Sequence, residues 1–573
     1  MSNPRNPSMM CALNLAGSPR AESHRGRVTS TTTFDSGMLE MSRPRPELRE
    51  RIALRVLQAG SIALVLASLP YKAFDLDRYF VPKELVLHVC AVVAAVLLLR
   101  GLPRLTLSVI DMVLVAFLFA GVVSSLFAVN SWSAERALAI SCSGLALYWS
   151  ASAIRRAGLV APLLVALAVG IVLAAATSLA QAYGLQTEYF SLNRAPGGTF
   201  GNRNFIAHLS AIGAPVVALV SLTVRRRGGS VFGAVSMAIL AAALVMSRSR
   251  AAWLAVLVLA VPVGVLAVGT WNRWCQPRTL RRLIVLGVAA GVGALAAVVL
   301  PNRLEWKSDS PYLDSAAGLV NYKEGSGRGR IVQYTNSLHM TRVHPVLGVG
   351  PGNWSVVYPK YASRNDPSMS SDDGLTSNPW PSSDWIAYLS ERGATGVVLL
   401  LVAMVGLLGR ALSDLKRQDR NAEQVLTAIT LVGTLVATAV VGAFDAVLLV
   451  AAPTFFVWTL AGVLSPTPER GFTLGRWAPV TAMLAVVVCG GIAIARSAFQ
   501  IAAIATFSTS TRLASLDQAS SYDPGSYRIH TRVAAAYLSR GDCARVRPHA
   551  RAARALFPNA AEPRRQLAAC GSR

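Results

Sequence analysis

The sequence predicts an all-α membrane protein: a polytopic bundle of about 12–13 transmembrane helices with one long outer loop and a small C-terminal helical domain. Three observations carry this prediction. Apolar residues gather in blocks of roughly 17–25, the length that crosses the hydrocarbon core of a bilayer. The chain is 53% hydrophobic and only 15% charged, and helices in lipid satisfy their own backbone hydrogen bonds without a soluble core. The polar stretches between blocks are short, apart from residues 301–384.

Residues 1–51 include "SHRGRVTSTTTF" and "MSRPRPELRERIALR", rich in Ser, Thr, Pro and Arg and without an apolar period. They read as a disordered, basic cytoplasmic arm. A cleaved secretory signal needs an apolar stretch near the start, and the first apolar run begins only near Ile52, so none is expected. The formal charge of +26 is scattered through short loops rather than gathered with aromatics on one stripe. That excludes nucleic acid as the expected partner and leaves the membrane lipids.

Residues 52–300 form the first part of the bundle. Its spans are expected at Ile52–Leu69, Glu84–Leu99, Ser108–Ala128, Ala134–Ala153, Leu159–Ala180, Phe205–Val224, Val231–Met246, Ala251–Gly269 and Leu283–Leu300. Residues 385–496 add Trp385–Leu408, Val425–Val441, Ala446–Leu464 and Trp477–Ala495. With the arm in the cytoplasm, every cytoplasmic loop is basic: "RGLPR" from 100, "RR" from 155, "RRR" from 225, "NRWCQPRTLRR" from 272, "RALSDLKRQDR" from 410 and "PERGFTLGR" from 468. The opposite loops are mostly poor in Lys and Arg, as the positive-inside bias requires. The long loop 301–384 and, by the odd number of spans, the tail 497–573 then fall outside.

Four outer-face features stand out against that pattern. In "VMSRSRAAW", Arg248 and Arg250 sit between two apolar runs, where the bias disfavours them. Snorkelling to the headgroups would explain them structurally. "NRAPGGTFGNRNFIAHL", residues 193–209, brings Asn202, Arg203 and Asn204 to the start of a span, where an asparagine cap is the plain structural explanation. In "GSGRGRIVQYTNSLHMTRVHPVLGVGPGNWSVVYPKYA", residues 325–362, Arg330 is expected at a helix beginning, with Tyr334, Leu338 and Arg342 about one turn apart. Its glycines at 348, 350 and 352 could cradle phosphate through backbone amides, yet no P-loop lysine or strand accompanies them. In "TSNPWPSSDWIAYLSERGATG", residues 376–396, Ser382, Ser383 and Asp384 precede a returning span, as N-cap residues do.

In that order, "GTFGNRN", "SRSRAAW", "GRIVQY" with "HPVLGVGPGNW", and "SSDWIAYLSERGATG" resemble the bacterial O-antigen ligase and polymerase family of integral-membrane glycosyltransferases. The resemblance covers roughly Asp75–Ser465. It implies transfer of a glycan from a polyprenyl-diphosphate donor, such as an undecaprenyl-diphosphate-like lipid, to a hydroxyl of a glycan, lipid or protein acceptor. The place implied is the periplasmic face of the bacterial inner membrane. No nucleotide sugar, cofactor or metal is expected. A lipid diphosphate leaving group gains negative charge at the membrane surface, and arginine is suited to it, being permanently charged and able to hold two oxygens at once. The family's arginines match Arg250 and Arg330, the expected catalytic diphosphate ligands. Asn202 and Asn204 match its paired asparagines, and Arg203 and Arg248 are further candidates for binding the donor.

One position departs from the family. Many members carry a His, proposed to activate the acceptor, where this chain has Ser382. Serine is a poor base at neutral pH, so Ser382 is expected to bind substrate and Asp384 to supply the catalytic carboxylate. His344 is explained by its His-Pro turn, and His208 is expected to pack within a span. A repeat-unit polymerase remains the alternative within the family. A transporter or flippase would instead carry its charges near mid-membrane on broken helices.

The tail alternates Ala-rich helical stretches with "DPGS", "RGD" and "FPNA" breaks, resembling one to two tetratricopeptide-like helix pairs. So few repeats bury little surface alone, so the tail is expected to dock on the bundle or on an envelope protein. Cys543 and Cys570 lie there about a helix pair apart, in an oxidising compartment that favours a disulfide. The remaining cysteines show no metal-ligand spacing.

Overall fold

The structure, a computed structural model, describes residues 46–571 apart from 75, 192–193, 225–226, 307, 319–324, 364, 371–372 and 468–470. The expected arm lies outside the described residues up to residue 45, as do positions 225–226 and 468–470 of two expected basic loops. The chain is all-helical in its spanning part, and every expected span coincides with a helix. In order these are α1 (Leu48–Leu66), α2 (Asp77–Leu99), the short strand β1 (Thr106–Leu107), α3 (Val109–Ser125), α4 (Ser131–Arg156), α5 (Val160–Ala182), α6 (Arg203–Thr223), α7 (Arg227–Ser247) and α8 (Arg250–Gly269). One turn, α9 (Trp271–Trp274), leads to α10 (Pro277–Val299). The long loop carries α11 (Pro311–Ala317), α12 (Gly325–Val343) and α13 (Trp354–Val357). Then come α14 (Asp384–Lys416), α15 (Ala422–Gly442), α16 (Ala451–Leu464), β2 (Phe472–Thr473) and α17 (Ala478–Thr509). The tail is α18 (Leu513–Tyr522), α19 (Tyr527–Leu538), α20 (Cys543–Leu556) and α21 (Glu562–Ala569).

Among the described residues, 10 helices are long and apolar enough to cross a membrane, and α3 and α16 are shorter apolar helices. α1 begins at Leu48, ahead of the expected boundary, because Arg49, Glu50 and Arg51 join its first turns, with Glu47 and Glu50 forming a capping box. The most interior spans are α6 and α15, each with 78% of its apolar window buried, whereas α17 has 11% and α8 has 17%. The latter two present apolar faces outward, as helices facing lipid do.

Successive spans reverse direction, so the starts of α2, α4, α6, α8, α14 and α16 share one end with the long loop. The contacts fix this: Ser124 of α3 donates to the carbonyl of Leu347, and the Arg303 amide donates to the carbonyl of Ala182 at the end of α5. At the start of α4, the Asn130 amide donates to Asn353 Oδ1 at 2.7 Å, and Asn353 Nδ2 returns a bond to the Asn130 carbonyl at 3.0 Å.

At the other end, arginines close the open carbonyls of helix C-termini. Arg155 donates to Val463 and Leu464, Arg273 to Leu415 and Arg417, and Arg282 to Ser221 and Leu222. The cation complements the negative end of the helix dipole there. The basic loops thus have a structural partner as well as a topological reason.

The tail docks on the bundle. Phe74 and Val81 share an apolar cluster with Ile529, Val533 and Val546, and Phe74 meets Phe507 edge-on at 5.3 Å. Cys543 and Cys570 form a disulfide, as their placement in the sequence led us to expect.

Candidate active site

Two motifs that looked separate in sequence build one frame. The segment 345–354 runs against the first turns of α14: the Val349 amide donates to Ser390, the Gly350 amide to the Glu391 carbonyl and the Ala394 amide to Pro345. The Glu391 carboxylate then accepts the amides of Gly352 at 2.8 Å and Trp354 at 3.2 Å. Gly348 (φ +68°) and Gly393 (φ +67°) adopt the left-handed region, and a Cβ on either would overlap the opposing backbone. The Gly348 and Gly350 amides are therefore taken by backbone carbonyls and that of Gly352 by a buried carboxylate of the chain, rather than by a phosphate. Gly393 also interrupts α14 with non-helical backbone, which turns the helix at the site.

On this frame sits a polar cluster fed by four elements. Arg330 lies in the second turn of α12, which starts at Gly325, rather than at the helix beginning. Its Nε is buried without an acceptor among the described residues. One turn on, the Tyr334 hydroxyl lies 2.7 Å from the Ser382 carbonyl and 2.9 Å from that of Ala443. Burial pushes that phenol up to about 12, with Arg330 opposing the shift and Asp445 adding to it. The Ser382 amide donates to Gln333 Oε1 at 2.7 Å, so Ser382 meets α12 through its backbone. Asn204 Nδ2 donates to Asp445 Oδ2 at 3.1 Å, and Asn202 caps α6 by accepting the Asn204 amide. His208, fully buried, has its Nε2 3.5 Å from Ser249 Oγ and has Arg330 and Asp445 as charged neighbours. Ser249 is the residue between Arg248 and Arg250, so His208 joins the two halves of the cluster.

The three arginines of the first half meet the loop that follows α10. Arg250 donates to the Gly318 carbonyl at 2.6 Å, and Arg248 Nε donates to Ser315 Oγ at 2.8 Å. The guanidinium groups of Arg203 and Arg248 lie over the Trp306 ring, 5.6 and 4.7 Å from its centroid. Arg248 has φ +54°, the one left-handed non-glycine among the described residues. Such backbone costs about 1 kcal/mol or more and persists only where the surroundings enforce it.

Asp384, expected to supply the catalytic carboxylate, lies enclosed. It is 0% exposed, and its carboxylate accepts the Val447 and Leu448 amides, each at 3.0 Å. It ties α14 to the turn before α16 and has no surface from which to reach an acceptor hydroxyl. The carboxylate that shares His208 and Tyr334 with Arg330 as a charged neighbour is Asp445 instead.

Residues 235–401 match the family model described as O-antigen ligase. Over this segment the chain is similar to the O-antigen ligase family. That family carries out membrane glycan transfer of the ligase and polymerase type from lipid-linked donors. No curated protein matches the chain. The O-antigen ligase segment contains Arg248, Arg250, Trp306, Arg330, Ser382 and Asp384, whereas Asn202, Arg203, Asn204, His208 and Asp445 lie outside it. The fold brings both sets to one end.

Sequence reasoning missed Asp445, Trp306 and Lys83. Asp445 had a visible signal, a single acidic residue in the apolar run "VVGAFDAVLLV". Lys83 is buried and donates to the Thr199 carbonyl at 2.8 Å, holding the "GTF" turn ahead of Asn202. Trp306 had no signal, because only packing brings the two arginines to its ring.

Proposed function

We propose that this protein transfers a glycan from a polyprenyl-diphosphate donor to an acceptor hydroxyl at the periplasmic face of a bacterial inner membrane. Arg250 and Arg330 take the diphosphate, and Asp445 rather than Asp384 accepts the acceptor proton. The observation that carries this reading is the convergence of Arg203, Arg248, Arg250 and Arg330 at the end of the bundle that holds the long loop. Cations gathered at a membrane face suit a leaving group whose charge grows there. A transporter would need such charges at mid-membrane.

Asn202 Oδ1 already serves as the helix cap, so only its Nδ2 remains for substrate. Asn204 holds Asp445, and the Ser382 backbone joins the same cluster through Tyr334 and Gln333. Because Ser382 stands where many family members have His, a repeat-unit polymerase is the second reading.

The test is glycan transfer by purified protein given a polyprenyl-diphosphate glycan. Arg250→Lys and Arg330→Lys should each lower turnover about 10²–10³-fold with protein levels unchanged, and undiminished transfer in both refutes the assignment. The glycan profile of a deletion strain separates the readings. Unligated long chains indicate a ligase, and single repeat units a polymerase.

A further inference from the structure

Trp306 lies in the segment between α10 and α11, a stretch for which the proposed chemistry has no use so far. Its ring carries the guanidinium groups of Arg203, from the start of α6, and Arg248, from the α7–α8 turn, at 5.6 and 4.7 Å. Its indole Nε1 is buried and has no hydrogen-bond acceptor among the described residues. A buried N–H without an acceptor is rare in folded proteins and costs about 1–3 kcal/mol, so it points to a group that arrives later.

The charges around the ring point the same way. Arg248 spends Nε on Ser315 Oγ, and the Arg203 guanidinium donates to the Ala195 carbonyl at 3.4 Å, its one hydrogen bond among the described residues. Neither has a carboxylate in ion-pair contact among the described residues. Asp314, the acid closest in influence to Arg248, is engaged by Ser308 Oγ. Two like charges are therefore held around one neutral ring, with the cation–π contact offsetting part of their repulsion. The two guanidinium groups over the ring and the indole N–H are donors only.

We propose that Trp306, Arg203 and Arg248 form an oxyanion seat for one phosphate of the polyprenyl-diphosphate donor, separate from the Arg250 and Arg330 pair. The identity of the anion rests on the glycan-transfer reading. The seat donates the indole N–H to a non-bridging phosphate oxygen and guanidinium N–H groups to its neighbours. It takes the lipid-side phosphate, whose charge does not change when the glycan leaves the other phosphate held by Arg250 and Arg330, so it contributes to donor affinity rather than to the chemical step.

The test is binding of polyprenyl diphosphate to the full-length protein in phosphatidylcholine nanodiscs. Trp306→Phe keeps a ring for the arginines and removes only the N–H donor. It should weaken binding about 5- to 30-fold and raise the donor KM with kcat little changed. Arg248→Gln, with the thermal midpoint monitored, should weaken binding in the same selective way. Binding by Trp306→Phe equal to the parent overturns the proposal. So does displacement of polyprenyl diphosphate from the seat by phosphatidylglycerol at equal mole fraction, which would make it a phospholipid headgroup site. If Arg250→Lys and Arg330→Lys lose transfer while Trp306→Phe behaves normally, the seat fails and the function stands. If those lysine variants transfer normally, the function itself fails.

Discussion

At the scale of single residues, two carboxylates that both flank apolar runs have opposite surroundings. Asp384 is enclosed and receives two backbone amides, while Asp445 is half-buried, bonded to Asn204 and, like Arg330, a charged neighbour of Tyr334. Asp384→Asn would turn an amide NH2 toward those backbone donors. It should destabilise the protein by about 1.5–3 kcal/mol, read as a lower thermal midpoint and less protein in the membrane. Asp445→Asn should instead leave the midpoint near the parent and lower turnover about 10²–10⁴-fold, the usual worth of a general base. Equal effects of the two variants on the midpoint would contradict this division. The Tyr334 hydroxyl, pushed up to about 12, stays a donor throughout the working pH range.

Among the elements, the lock between residues 345–354 and α14 holds the loop to the bundle. Gly348→Ala places a methyl group against the Glu391 backbone at a left-handed φ. The expected outcome is loss of folded protein in detergent, by size-exclusion profile, whereas Gly409→Ala, which meets open space, should be tolerated. In the tail, α19 and α20 bring His530 and His549 together with their Nδ1 atoms 3.1 Å apart. Burial holds both below the ordinary histidine range, although Asp517, facing His549, and the Pro524 carbonyl, facing His530, oppose this. An unfolded chain takes up these protons near pH 6.5, and the folded tail resists until lower pH. Stability present above about pH 6.5 should therefore fall as the pH drops through that value. Amide exchange in α19 and α20 should accelerate between pH 7.5 and 5.5 beyond its intrinsic pH dependence, and His549→Gln should flatten the response.

For the whole molecule, the tail and the long loop are one assembly. Asn559 Nδ2 donates to Val356 at 3.1 Å, the Ala561 amide to Asp373 at 2.8 Å, and Asn130 Nδ2 to Leu556 at 3.2 Å. The Cys543–Cys570 disulfide closes the helices that supply these contacts. A double Cys543→Ser, Cys570→Ser variant should lose about 3 kcal/mol of tail stability. Hydrogen exchange should then rise in residues 354–362 of the loop as well as in the tail. A rise confined to the tail would mean that the loop stands without it.

The sequence by itself determined the helical membrane class, the positions of the apolar helices and the order of the outer motifs. Each depends on local apolar length, periodicity or charge, which a linear chain displays. It also displayed Arg250, a cation at the apolar end of a span, and Arg330 through the motif that carries it. Only the tertiary structure separated Asp384 from Asp445, turned the glycines of "GVGPG" toward Glu391 and set Arg203 and Arg248 on Trp306. Those outcomes depend on which distant segments approach within hydrogen-bond or van der Waals range. A carboxylate's role is decided by the amides and solvent that three-dimensional packing brings to it, and residue spacing along the chain carries no record of that.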